Sequence, residues 1–255
     1  MQLIDFSRIK VSCENCNLSE LCLPRGLTQP DLEKLDQMVK RTRPLHKGDL
    51  LFRAGDAFRS LYAVRSGCIK LHTTSDLGEE QITGFYLPGE IVGLDGLDND
   101  SHSCTATALE TSSLCAFPYA NLSEVCRKVP ALNEQLFRFM ARELSQDNQL
   151  LLTITKKNAE ERIATFLLSL SARFKRLGYS ATEFKLSMSR SEIGNYLGLT
   201  IETVSRGMNK FQKQGLIDIE RKFVRILDMD ALHALCTHQT QADEEDKDSV
   251  AGRSG

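Results

Sequence analysis

Residues 189–213 read SRSEIGNYLGLTIETVSRGMNKFQK, and this stretch decides the C-terminal half of the fold. Ser189 and Glu192 make the S-x-x-E pair that opens a helix by reciprocal capping. The helix is expected to run to residue 197. Gly194 is small where this helix must approach a second one closely. Gly198 lies four residues on, where the chain must turn sharply at a positive φ, which glycine adopts without a Cβ clash. Val204 follows six residues later, an apolar plug between the two helices. Small, turn-glycine and apolar positions at this spacing describe a helix-turn-helix. Its second helix is expected over 200–214, stopped by Gly215.

That second helix has two faces. Ile201, Val204, Met208 and Phe211 fall on one side and are expected to be buried. Glu202, Ser205 and Arg206 lie on the other side, near the helix N-terminus. The N-terminal residues of a recognition helix meet base edges in the major groove. Arg206 can donate two hydrogen bonds to guanine O6 and N7, Glu202 can accept from cytosine N4, and Ser205 suits several partners. A solvated face with an incidental Glu–Arg pair would look similar, but the surrounding spacing favours base readout. Segments 216–219 and 223–227 alternate like a small hairpin. It carries Arg221, Lys222 and Arg225, as a wing near phosphates would.

Upstream lie two helical stretches. One covers 159–177 and ends at Gly178. The other, 131–157, follows Pro130 and contains neither Gly nor Pro. In it Leu132, Leu136, Met140, Leu144, Leu151 and Ile154 recur at spacings of three, four and seven, a narrow seam of the kind that pairs two helices. Asp147 falls between Leu144 and Leu151, where an apolar residue is expected. Two such carboxylates meeting in a symmetric dimer would oppose association by on the order of 1 to a few kcal/mol. Further back, glycines at 48, 55, 67, 78, 84, 89, 93 and 96 separate short β-branched runs at 60–66, 68–74, 81–86, 104–108 and 113–117. This is the pattern of a β roll or barrel. A short helix is expected before it, over 31–40.

The fold class is therefore α+β. A jelly-roll-like N-terminal β-roll sensor domain is followed by a long dimerisation helix and a C-terminal winged helix-turn-helix. The expected divisions are a cysteine-rich segment (1–30), the roll (31–118), the dimerisation helix region (119–157), the winged helix-turn-helix (158–230) and a disordered acidic tail (239–255) that includes Asp243–Asp246. The 255 residues carry a net charge of −2, with 41% hydrophobic and 26% charged residues. The acidic tail outweighs a slightly basic remainder, so the overall charge does not exclude nucleic acid. No apolar run reaches the roughly 18 residues of a membrane span, and the first ten residues lack a signal-peptide core. The expected compartment is the cytoplasm, with no membrane partner. There is no P-loop, G-x-S-x-G or H-E-x-x-H motif, and no enzyme is expected.

Eight cysteines are many for a reducing compartment, where clustered thiols read as metal or redox centres. Cys13-x2-Cys16-x5-Cys22 places three thiolates in one loop. A fourth is needed for a cubane cluster or a tetrahedral zinc site, and Cys68, Cys104, Cys115, Cys126 and Cys236 are all candidates. Closed zinc sites commonly use two C-x2-C pairs and this chain has one. Three clustered ligands and a distant fourth suit an iron–sulfur cluster better, with zinc or a thiol–disulfide switch as the alternatives.

The order of these parts resembles the FNR (Anr-like) branch of the CRP/FNR superfamily of transcription regulators. The segments that carry the likeness are GDLLFRAGD (48–56), SLYAVRSG (60–67), GEEQITGFYLPGE (78–90), KKNAEERIATFL (156–167) and EIGNYLGLTIETVSR (192–206). The resemblance implies an oxygen-responsive global regulator, mainly an activator of anaerobic genes. It implies a [4Fe–4S] cluster with Cys115, in ETSSLCAFP, as the fourth ligand. It also implies that Glu202, Ser205 and Arg206 read a TTGAT half-site of an inverted repeat in double-stranded DNA. The chain would form a homodimer when the cluster is loaded, with Leu144, Asp147 and Leu151 at the dimer seam. RNA polymerase would be a further partner, through the loop 74–80. Cyclic nucleotide is not expected. Relatives that bind cAMP hold its phosphate with an arginine inside the roll, and this chain has none between Arg65 and Arg127. The alternative is a related regulator that senses another effector, or thiol redox state, through zinc or a disulfide.

Overall fold

A computed structural model describes residues 13–236. The chain divides into two compact units between Ser145 and Gln146. The acidic tail at 239–255 and the first twelve residues lie outside the described residues.

In the first unit the cysteine loop leads into α1 (Gln29–Met38), which has proline in its first turn, where the missing N–H costs nothing. Eight strands follow. They are β1 (Lys40–Arg41), β2 (Leu50–Phe52), β3 (Ser60–Ser66), β4 (Ile69–Thr74), β5 (Glu80–Tyr86), β6 (Ile91–Val92), β7 (Thr105–Ala108) and β8 (Ser113–Pro118). They form two antiparallel four-stranded sheets, in the orders β1-β8-β3-β6 and β2-β7-β4-β5. Phe52, Val64, Ile69, Leu71, Ala106 and Leu114 belong to one buried cluster fed by both sheets, which is the interior of the roll. The five runs expected as strands are all present. The two-residue strands β1 and β6 and the three-residue β2 are too short to show a period of two, and only the pairing reveals them.

After β8 the chain turns into α2 (Tyr119–Lys128), and Pro130 begins α3 (Pro130–Lys156). The 119–157 region thus holds two helices, separated at Val129. A second buried cluster joins Cys22 and Leu23 of the cysteine loop to Leu35 and Met38 of α1, Leu61 of β3, Phe117 of β8, Leu122 of α2, and Leu132 and Phe139 of α3. The position of the loop is thereby tied, through close-packed side chains, to the start of the long helix.

In the second unit α4 (Ala159–Arg176) begins with a capping box, Asn158 with Glu161. Then come β9 (Glu183–Lys185), α5 (Arg190–Leu197), α6 (Ile201–Lys213), β10 (Ile217–Glu220), β11 (Phe223–Ile226) and α7 (Met229–Ala234). The expected hairpin is β10–β11, with Ile217 opposite Ile226 and Glu220 opposite Phe223. A third strand, β9, pairs with β11 and makes a three-stranded sheet. Its three residues, Glu-Phe-Lys, carry no period that sequence reading could use. The α+β architecture expected from the sequence is the one found.

Candidate cluster site and nucleic-acid interface

A succession of turns winds the cysteine loop. Cys16 N–H donates to the Cys13 carbonyl (3.4 Å), Ser19 N–H to that of Cys16 (3.0 Å), and Cys22 N–H to that of Leu18 (2.9 Å). Asp36 on α1 anchors the start of the loop by accepting the Cys13 N–H at 2.8 Å. Cys115 comes from β8, where it pairs with Ala63 of β3 and Arg41 of β1.

The loop cysteines and Cys115 lie close enough to influence one another's protons. Burial pushes the Cys13 thiol up to about 12, with the Asp36 carboxylate, Cys115 and Cys16 adding to the rise. Burial also raises Cys22, partly offset by the Leu23 amide, and Cys115, Cys13 and Cys16 raise it further. Cys115 is raised by burial and then by Cys16, while Arg65 and Arg41 pull it down. Cys13, Cys22 and Cys115 are thus each raised in part by other cysteines of this set. All eight cysteines are free thiols. The remaining four lie elsewhere. Cys68 and Cys104 are buried in the roll, where Cys104 faces Asp95. Cys126 is on α2, and Cys236 accepts from Thr165.

The donor set fits a cluster. Four thiolates crowded without a cation repel one another and lose hydration, and a bound metal centre removes both penalties. Among the described residues no three Cys, His, Asp or Glu side chains converge closely enough to share one metal ion. A four-iron cluster gives each thiolate its own iron and so needs a wider ring than zinc does.

On α3, Leu144 (63% exposed) and Leu151 (61%) stand open, with Phe137 and Leu152 beside them. Asp147 is also exposed, and partial desolvation raises its carboxyl above the usual range. Leu132 and Leu136 depart from the expected seam. Leu132 is fully buried in the first unit's own core and Leu136 packs against it, because the start of α3 packs on α2 and the roll.

The helix-turn-helix forms as its spacing implies. Ser189 and Glu192 complete their capping box, and Gly198 sits at φ 64°. A Cβ on Gly194 would stand 2.6 Å from the Leu199 carbonyl oxygen, so only glycine fits. Val204, Met208 and Phe211 are buried, and Gly207 with them. Ile201 does not follow this face. It is 46% exposed, because it begins α6 ahead of the stretch that packs on α5. Glu202 and Arg206 are exposed and Ser205 half-buried, together on the open side of the helix. In the wing only Arg221, at the hairpin tip with φ 57°, stands clear. Lys222 donates to the Ser187 carbonyl (3.3 Å), and Arg225 pairs with Glu183 (3.2 Å).

Sequence reading missed Arg162 of α4. Its Nη1 donates to the Leu197 carbonyl (3.1 Å) and approaches that of Gly198 (3.5 Å), while Nε holds the Lys157 carbonyl (2.8 Å). It thus satisfies the open C-terminus of α5 from another helix. An arginine on an amphipathic helix gives no hint of a partner 35 residues away. Asp36 was missed for the same reason.

A β roll joined to a helix-turn-helix whose reading face is open defines a DNA-binding transcription regulator, not an enzyme. Residues 161–235 match the Crp-like helix-turn-helix domain family, and residues 42–129 match the cyclic nucleotide-binding domain family. The transcriptional activator protein anr of Pseudomonas aeruginosa is 53% identical over 229 residues, spanning 90% of this chain and 94% of that one. The fumarate and nitrate reduction regulatory protein of Salmonella typhimurium is 46% identical over 228 residues, spanning 89% and 91%. Among solved structures, FixK2 from Bradyrhizobium japonicum superposes with a TM-score of 0.71 at 28% identity, covering 77% of this chain and 96% of that one. The chain belongs to the FNR (Anr-like) branch of the CRP/FNR superfamily of transcription regulators. Among the described residues no helix is long and apolar enough to cross a membrane.

Proposed function

We propose that this chain is a cytoplasmic, oxygen-responsive regulator, chiefly an activator of anaerobic genes. As a dimer it binds an inverted TTGAT-type repeat while a [4Fe–4S] cluster is held by Cys13, Cys16, Cys22 and Cys115. The reading is supported by the mutual influence of the loop thiols and Cys115, which comes from a distant strand. Bound there, the cluster supplies a centre that oxygen oxidises and dismantles. Cys22 and Leu23 share a core with Leu132 and Phe139, so the placement of the loop bears on α3. Leu144 and Leu151 form the dimer seam, and Asp147 opposes association until the helices are set to tolerate it. Once paired, two copies of Glu202, Ser205 and Arg206 engage two half-sites together. RNA polymerase meets the exposed loop between β4 and β5.

Cyclic nucleotide is not the effector. Beside the interior residues Cys104 and Tyr86 stand the carboxylates of Asp95 and Glu143, where an anionic phosphate would meet like charge.

The test is purification under nitrogen with iron and sulfide quantified, followed by the visible spectrum after air is admitted. About four irons and four sulfides per chain, and absorbance lost in air, are expected. A colourless protein holding zinc would overturn the cluster reading and leave DNA binding standing.

A further inference from the structure

We infer that Asp36 is the positioning residue of the cysteine loop: its carboxylate, rather than any cysteine, fixes the first ligand in place before metal arrives. The inference rests on the proposed ligand set. Among the described residues the loop's backbone–backbone bonds are local, each linking residues three or four apart. The bond from Cys13 N–H to Asp36 Oδ1, at 2.8 Å, spans 23 residues and ties the loop to α1. Leu35 and Met38, on either side of Asp36, are buried in the first unit's core, so the acceptor sits on a rigid support. Cys22, at the far end of the loop, is held by burial in the same core. Cys13 is only half-buried, and Asp36 supplies the second anchor. The backbone hydrogen bond to Asp36 does not depend on the state of the Cys13 sulfur, because only the N–H takes part in it.

A loop fixed at both ends has less conformational freedom to lose on ligation, so its ligands release metal more slowly. The carbonyl oxygen of an amide side chain accepts the same bond. Asp36→Asn therefore preserves the anchor, and Asp36→Ala removes it.

Two measurements on the full chain test this. In metal-free protein, hydrogen exchange at the Cys13 amide is expected to be about 10-fold or more faster in Asp36→Ala than in wild type, with Asp36→Asn close to wild type. In anaerobically loaded protein, transfer of iron to a ferrous chelator under nitrogen is expected to accelerate several-fold in Asp36→Ala and to stay within about twofold in Asp36→Asn. If alanine perturbs α1, Asp36→Ser retains polarity but falls short of the Cys13 amide, and it carries the same expectation. Equal exchange in wild type and Asp36→Ala would overturn the inference, as would Asp36→Asn releasing iron as fast as Asp36→Ala. Wild type that binds no iron would defeat the cluster reading instead, and the exchange measurement would still decide the anchor.

Discussion

Gly194 and Leu199 meet so closely that a side chain on the glycine would stand 2.6 Å from the Leu199 carbonyl oxygen, a backbone atom that cannot swing aside. Gly194→Ala must therefore push α5 away from the turn, at a cost of about 1–3 kcal/mol. Gly207 offers a control. There an added Cβ would meet Ile163 Cδ1 at 2.5 Å, but this is the end of a flexible side chain, and alanine also favours the helix by about 1 kcal/mol. Urea unfolding of the DNA-binding unit is expected to show a clear loss for Gly194→Ala and little net change for Gly207→Ala.

Arg206 stands exposed near the start of α6. Arg206→Ala is expected to weaken binding to a TTGAT-type duplex by about 1–3 kcal/mol and to relax preference at one base pair. Fluorescence anisotropy across single-base variants of the site checks this. A uniform loss on every duplex would make Arg206 a phosphate contact.

In the proposed dimer, Asp147 opposes pairing only while it is ionised. Its carboxyl already titrates above the ordinary range, and a seam would raise it further. Association should thus strengthen as pH falls through that raised value and weaken above it. Asp147→Ala removes both the charge and the pH dependence. Sedimentation in air is expected to give a dimer for the variant and a monomer for wild type. A variant that stays monomeric and inactive in air sinks this account.

The metal-free cysteine site makes a pH prediction of its own. Cys13 lies at about 12 and Cys115 is raised from 9.0, so the folded chain holds these protons more tightly than the unfolded chain does. Below about pH 8 both states are protonated and nothing is lost. Above the unfolded value the folded form is penalised, increasingly so up to the raised values. The urea midpoint of the metal-free roll should fall between about pH 8 and pH 10, and Cys13→Ser should lessen the fall. Metal loading runs the other way, strengthening as pH rises, because each thiol must surrender its proton.

Much of this site was legible in the sequence because its signals are local. C-x2-C-x5-C and the glycines at 194 and 198 fix backbone geometry within a few residues. The five longer strands of the roll announce themselves as short β-branched runs between glycines. What stayed hidden depends on contacts between distant segments. The strand β9 exists because β11 offers it an edge. Arg162 and Asp36 matter because of partners 35 and 23 residues away. Ile201 shows the opposite limit. Its helical phase places it with Val204 and Met208, but at the first turn no neighbouring helix is there to cover it. Choosing Cys115 from five candidates rested on resemblance, because nothing local links it to a loop more than ninety residues earlier in the chain.

The guanidinium of Arg162 has a wider consequence. By bonding the carbonyls at the end of α5 it holds the bend between the two helices from a third, with no part taken by Glu202 or Arg206 in those bonds. If Glu202 and Arg206 read bases as proposed, a lineage could exchange them for a new operator while Arg162 kept the bend between the helices.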